Sequence, residues 1–184
     1  MRWKRRNSAK GLAAGLIGGL AASWVMTEFQ RDLSRLKKKK EQQEQANSGW
    51  QQEQQRQRQA QQESEEAATV KAAVAVSEQV FGYELAPEEK ETAGEVVHYA
   101  YGTALGGLYG LATENAGWAS AGLGALFGVA LWGISDEIAV PLLRLAKGPQ
   151  HYPAGVHMQA LASHVVYGVT TEVVRRALRA GPLS

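Results

Sequence analysis

Four stretches of the chain are nearly free of charge and rich in apolar or small residues, and polar segments separate them. The first, residues 11–29 (GLAAGLIGGLAASWVMTEF), carries no charged side chain before Glu28. A helix of that length rises about 28 Å, close to the hydrocarbon thickness of a bilayer. Gly11, Gly15, Gly18 and Gly19 would weaken a water-exposed helix by roughly 1 kcal/mol each relative to Ala. Lipid removes the competing water, so the same glycines are tolerated there. The pattern predicts further spans over residues 96–113, 116–134 and 156–174. Glu114-Asn115 is a link short enough to join an antiparallel pair. The third helix can continue to Pro141. A turn-rich connection over 142–155 follows, and Arg175, Arg176 and Arg179 terminate the fourth helix.

The segments between are of two kinds. Residues 30–66 are low in complexity: a basic run, RDLSRLKKKK, and then a Gln- and Glu-rich stretch with almost nothing to bury. Such a stretch is either a solvated helix or disordered, and it lacks the apolar heptads of a coiled coil. Residues 67–82 regain an apolar pattern. Val70, Ala73, Val74, Val80 and Phe81 can share one helical face, which fits an amphipathic helix at a membrane surface or against the bundle. Gly82 marks a helix stop, and Pro87 with Glu88 and Glu89 marks a helix start.

Small residues at spacing four give the packing expectation. Gly11, Gly15 and Gly19 lie in the first span, Gly102, Gly106 and Gly110 in the second, and Ser120, Gly124 and Gly128 in the third. Each set falls on one helical face, where backbones can approach closely in lipid. The fold expected is an all-α integral membrane bundle of about four transmembrane helices with small-xxx-small packing. Three regions result: a basic flank and first membrane helix (1–29), a polar Gln/Glu-rich helical or disordered insert (30–66), and an amphipathic helix followed by a three-helix membrane segment (67–184). Two other readings compete for the first stretch: a re-entrant or interfacial helix, and a signal peptide with Ala21 and Ser23 as the small residues of its cleavage site, against which the apolar run continues through Trp24, Val25 and Met26.

Composition sharpens this picture. The 184 residues include 20 Lys and Arg against 18 Asp and Glu, a balanced total that hides strong segregation. Residues 1–40 carry 11 basic and 2 acidic side chains, residues 41–95 carry 4 and 12, and residues 96–184 carry 5 and 4. The absence of cysteine excludes a disulfide framework and thiolate metal sites. No P-loop, nucleophile elbow or dinucleotide fingerprint follows a strand pattern, and no cofactor is expected. Lys37–Lys40 lie close to a membrane helix, so anionic lipid headgroups rather than nucleic acid are their expected partner. Basic residues flank both sides of the predicted spans, so the positive-inside rule does not fix the orientation.

Polar groups at membrane depth are the candidate chemistry, because charge in hydrocarbon is costly and should face the bundle interior or the headgroups. They are His98, Tyr101, Asp136, Glu137, His164, Tyr167 and Glu172, with His157, His164 and Thr171 close to one face of the fourth helix. Three uses compete for them. One is interhelical hydrogen bonding in a non-enzymatic protein. A second is a proton- or ion-conducting path or transporter through His98, His164, Asp136, Glu137 and Glu172. The weakest is a metal site built from His98, His164 and one carboxylate, for which no ligand spacing is recognisable. Neither catalytic nor metal-binding residues are assigned.

The stretches VVHYAYGTALGGLYG, WGISDEIAVP and ASHVVYGVTTEVVRRALR, with the N-terminal GLAAGLIGGLAASWVMTEF, resemble YagU-like bacterial inner-membrane proteins, a family of unknown function. The resemblance covers residues 8–29 and about 67–180 and leaves out the Gln-rich insert. It implies a small multipass protein of the bacterial cytoplasmic membrane, associated with acid resistance. It supplies no catalytic residues. The lipid bilayer is the expected partner, together with a homo-oligomer or another membrane protein.

Overall fold

The computed structural model describes residues 7–44, 68–181 and 183, with side chains of the first stretch described as far as Lys39. Every regular element among these residues is helical. Helix α1 runs Ser8–Glu44. The Asn7 side-chain oxygen accepts the Lys10 N–H at 3.1 Å and caps it. The helix continues well past residue 29, through the basic run. Arg, Lys, Gln and Glu are strong helix formers, no Gly or Pro intervenes, and Glu28–Arg31 and Asp32–Arg35 pair at 2.5 and 3.2 Å along its surface. The remainder of the expected polar insert, residues 45–66, lies outside the described residues.

Helix α2 occupies residues 68–76 and ends in a single π turn, Ser77–Phe81. Gly82 closes it in the left-handed conformation (φ 64°), returning its N–H to the Ser77 carbonyl. Helix α3, Pro87–Asn115, begins on the proline. The Glu89 carboxylate accepts the Ala86 N–H at 2.8 Å and the Tyr83 hydroxyl at 2.9 Å, which secures the start of the helix. On α2 Ala68 and Ala73 are buried, whereas Val80 and Phe81 are exposed. The π turn adds a residue and carries these two off the face that a regular helix would give them.

The third apolar stretch is not one helix. A 3₁₀ segment, Gly117–Gly124, breaks at Ala121 (ψ 146°), Gly122 (φ 64°) and Leu123 (φ 54°). Helix α4 follows as Ala125–Ile134 and continues through a π turn, Ser135–Ala139, into Val140–Leu142. Ser120, Gly124 and Gly128 therefore do not share one helical face. The chain leaves the helical basin between the first two, and Gly124 itself sits at φ 84°. Helix α5 spans Ala154–Ala180.

The chain forms two compact units, residues 1–26, 99–131 and 161–184, and residues 27–98 and 132–160. In the first unit the helices meet backbone to backbone. A Cβ on Gly106 would lie 2.5 Å from both the Gly15 carbonyl oxygen and the Gly19 Cα. One on Gly19 would lie 2.6 Å from the Gly102 carbonyl oxygen. The pairs Gly11 with Gly110, Gly15 with Gly106 and Gly19 with Gly102 run in opposite chain directions, so α1 and α3 pack antiparallel. Helices α1 and α4 both face α5: a Cβ added to Gly18 would lie 2.8 Å from the Thr171 carbonyl oxygen, and one added to Gly128 2.8 Å from the His164 carbonyl carbon. The small core is Ala22, Met26, Leu131 and Tyr167, with Leu105 and Phe127 against it. In the second unit Gly94 lets α3 pack close to Val70 of α2: a Cβ added there would lie 3.2 Å from the Val70 backbone nitrogen.

Two helices, Ser8–Lys39 and the segment Gly117–Leu142, are long and apolar enough to cross a membrane. Substituting Gly106→Leu should force α1 and α3 apart and cost at least about 1–3 kcal/mol, read as a lower midpoint of thermal unfolding in detergent. Gly133→Ala is the control: nothing lies within 4 Å of its added Cβ, so the midpoint should hold or rise slightly.

Candidate functional site

The densest polar cluster lies in the first unit, where the C-terminal ends of α3 and α5 meet the start of α1. Glu114, the penultimate residue of α3, accepts Nε and Nη2 of Arg179 at 2.7 and 3.1 Å. It also accepts the Asn7 N–H at 3.4 Å, and Arg175 Nη1 lies 3.9 Å away. Glu172 is fully buried. Its two oxygens take Arg175 Nε and Nη2 at 2.7 and 2.9 Å, and Arg176 Nε at 2.5 Å. Arg176 also donates to the Ser120 carbonyl at 3.4 Å, just before the break ahead of α4. Arg179 reaches the Leu183 carbonyl and so holds the chain end. Two carboxylates and three guanidiniums, all on α3 and α5, thus form one cluster that also takes in the Asn7 N–H and the Ser120 carbonyl.

A buried carboxylate persists as a charge only with such partners. Burial alone would push the Glu114 carboxyl up. The Arg179 guanidinium, the Asn7 N–H and the Arg175 charge together outweigh burial and hold it below the usual carboxylate range.

Aromatic groups line the interior beside this cluster. Tyr109 and Phe127 stack with centroids 4.3 Å apart, and Phe127 lies 6.0 Å from Tyr167. The Tyr167 hydroxyl donates to the Gly102 carbonyl at 2.5 Å, a bond made accessible by the bare glycine backbone. The Thr171 hydroxyl turns back to the Tyr167 carbonyl at 2.8 Å, and Ser23 to the Gly19 carbonyl at 3.0 Å. These bonds satisfy the hydroxyls of Tyr167, Thr171 and Ser23 with backbone carbonyls.

The second unit has a smaller polar site. His157 Nδ1 lies 2.6 Å from Glu137, within the π turn of α4, and Nε2 lies 3.0 Å from the Pro149 carbonyl. The Lys37 ammonium donates to Gln159.

The residues singled out from the sequence divide between these places. His98, Asp136 and Glu137 belong to the second unit, and Tyr101, His164, Tyr167 and Glu172 to the first. Tyr101 is half-exposed. Glu137 is committed to His157, and Glu172 to arginines. Among the described residues, no three His, Asp or Glu side chains gather in a metal-binding group. Sequence reasoning missed Glu114, placed in a link, and treated Arg175 and Arg179 only as helix terminators. It also missed Gly168, whose Cβ would lie 2.7 Å from the Gly128 nitrogen. Its signal was present as the glycine four positions before Glu172 within the apolar part of the helix.

An all-helical chain with two candidate membrane-crossing helices and a paired ionic cluster at one set of helix ends is the class defined so far. The chain belongs to a protein family of unknown function, DUF1440, which it matches over residues 50–173. That match includes part of the Gln-rich stretch, which the resemblance noted above leaves out, and omits residues 8–29, which that resemblance includes. No curated protein and no solved structure matches the chain.

A carboxylate whose folded pKa lies below its unfolded value of about 4.3 stabilises fully above that value and ceases to as pH falls through the folded one. Glu114→Gln should therefore destabilise the protein at pH 7 by on the order of 3 kcal/mol. Thermal unfolding of both proteins in detergent should show the gap closing as the pH is lowered past 4. A gap independent of pH would assign Glu114 a packing role only.

Proposed function

We propose that this is a multipass integral membrane protein of the bacterial cytoplasmic membrane, crossing the bilayer four times and serving a structural or interaction role rather than a catalytic one. The observation that carries the reading is the inversion of side-chain size. Gly, Ala, Ser and Thr predominate on the interior faces, with Ala14, Ala22 and Ser163 fully buried. The large apolar residues point outward: Trp24 is 58% exposed, Leu126 63% and Ile134 62%. Water would penalise that arrangement, since soluble monomers rarely expose broad apolar patches. Lipid favours it, because close contact between small residues drives helix association there. Within the apolar stretch over Gly117–Leu142 only 17% of the most apolar window is buried.

Four crossings follow if α3 and α5 accompany the two more apolar helices, since α1 packs against both in the first unit. The resemblance to YagU-like proteins supports the bacterial inner membrane and adds envelope or acid-stress physiology as the setting. Pairing of Glu137 with His157, and of Glu172 with two arginines, favours structural use of these charges over conduction.

The chain should stay with membranes through an alkaline carbonate wash. It has no cysteine, so single substitutions report topology cleanly. With four crossings, Asn115→Cys should be labelled from the same side as Ser184→Cys, and Gln150→Cys from the opposite side. Two crossings by α1 and α4 alone would move Asn115 to the other side. In proteoliposomes no proton or ion flux is expected. Flux lost in His164→Ala but kept in Tyr152→Phe would replace the structural role with conduction.

A further inference from the structure

An open apolar groove of about 510 Å³ runs between α2 with its π turn and the first turns of α3 in the second unit. Its volume falls in the range of about 300–1,000 Å³ usual for ligand sites. Ala73, Val76 and Phe81 line one wall, and Ala93, Val96 and Val97 the other. Phe81 is 75% exposed and Val96 62%, so the described chain leaves the groove uncovered. The α3 wall is graded. Glu88, Thr92 and Val96 form one row at spacing four, and Glu89, Ala93 and Val97 form the row beside it. Polarity falls turn by turn along both rows, from two carboxylates to two valines over about 13 Å.

The acidic end is a fixed mouth of one sign. The Ser77 hydroxyl donates to the Tyr83 carbonyl at 2.6 Å, and the Tyr83 hydroxyl donates to Glu89 at 2.9 Å. These bonds pin the turn between α2 and α3, so the groove is shaped without an occupant. Residues 68–98 hold six glutamates and two lysines, a net charge of −4. Glu78, Glu84 and Glu88 are exposed near the mouth. The groove therefore suits an amphiphile that is apolar along its length and cationic at one end.

We propose that the groove holds one acyl chain of a phospholipid whose headgroup ends in a primary ammonium, as in phosphatidylethanolamine, with that ammonium at Glu88 and Glu89. This rests on the four-crossing reading. Val96 and Val97 open the second span and lie in hydrocarbon, whereas Glu88 and Glu89 precede it and lie among headgroups. A lipid chain entering along α3 meets the same gradient as the bilayer itself. The ammonium donates charge-assisted hydrogen bonds to the carboxylates. A choline headgroup has no N–H to donate, and a glycerol headgroup brings net negative charge toward the glutamates. The site thus selects among lipids with the same chains by attraction to one headgroup and repulsion of another.

The test uses the full-length chain in mild detergent with equal amounts of phosphatidylethanolamine, phosphatidylcholine and phosphatidylglycerol bearing identical chains. Native mass spectrometry should show the ethanolamine lipid retained over the other two. Glu88→Gln should lower its retention roughly two- to fivefold and leave the choline lipid unchanged. Glu91→Gln alters an exposed carboxylate outside the groove and should change nothing. Thr92→Trp puts a ring into the groove from an exposed position and should remove the adduct. A phosphatidylethanolamine with a diazirine midway along its acyl chain should label residues within 73–97 on illumination. Equal retention of the three lipids, equal losses in Glu88→Gln and Glu91→Gln, or labelling confined to other residues overturns the proposal. So does a lipid-free dimer that Thr92→Trp abolishes, which would give the groove to a second copy. Any of these results from a chain that stays in carbonate-washed membranes leaves the membrane reading standing. A chain released by the wash overturns both.

Discussion

The close approach of α1 to α3 is the contact on which the first unit depends. Three glycine pairs set the helices so near that a single added methyl group at Gly106 would overlap backbone atoms on two residues of α1. At that spacing dispersion between backbones replaces the side-chain interdigitation of an ordinary core. It also determines which hydrogen bonds exist. The Gly102 carbonyl is open to the Tyr167 hydroxyl only because no side chain covers it. Tyr167 in turn fixes the aromatic stack through Phe127 to Tyr109. A glycine ladder on two helices therefore positions a ring on a third.

Polar chemistry occupies the ends of this arrangement. Glu172 is held by arginines one turn away on α5, and through Glu114 α3 is tied both to Arg179 of α5 and to Asn7, the residue before α1. Buried ion pairs add little net stability compared with apolar packing, but they penalise any alternative that leaves one charge unpaired. Where helices have smooth, glycine-lined faces, sliding by one turn is a low-cost error. Charged groups with fixed partners remove that freedom, the use of buried polar groups best attested in helical assemblies.

Much of the helical scaffold was legible in the residues. Gly82 and Pro87 punctuate the chain where α2 ends and α3 begins, because left-handed backbone and a fixed φ are local properties. Glycines 102, 106 and 110 were legible as a packing face for the same reason: periodicity is a local count. The interruption at 121–123 was not. Gly122 and Gly124 read equally well as helix-packing residues or as left-handed hinges, and only the tertiary setting decides between them. The Glu114–Arg179 pair was hidden because its members lie 65 positions apart. A glutamate in a link and arginines beyond an apolar run have ordinary local explanations. The same limit applied to His157, whose acceptors come from the preceding helix and its connection.

The π turn at Ser135–Ala139 has a wider consequence. It holds one more residue than an α turn, so each side chain beyond it is rotated by about 100° from where regular pitch would place it. Glu137 lies within this turn and is the anchor of His157. The distal part of α4 thus has its own azimuth, independent of the glycine-packed part before it. Homologous chains that gap this turn by one residue would form a separate structural subtype, recognisable by the histidine's lost anchor.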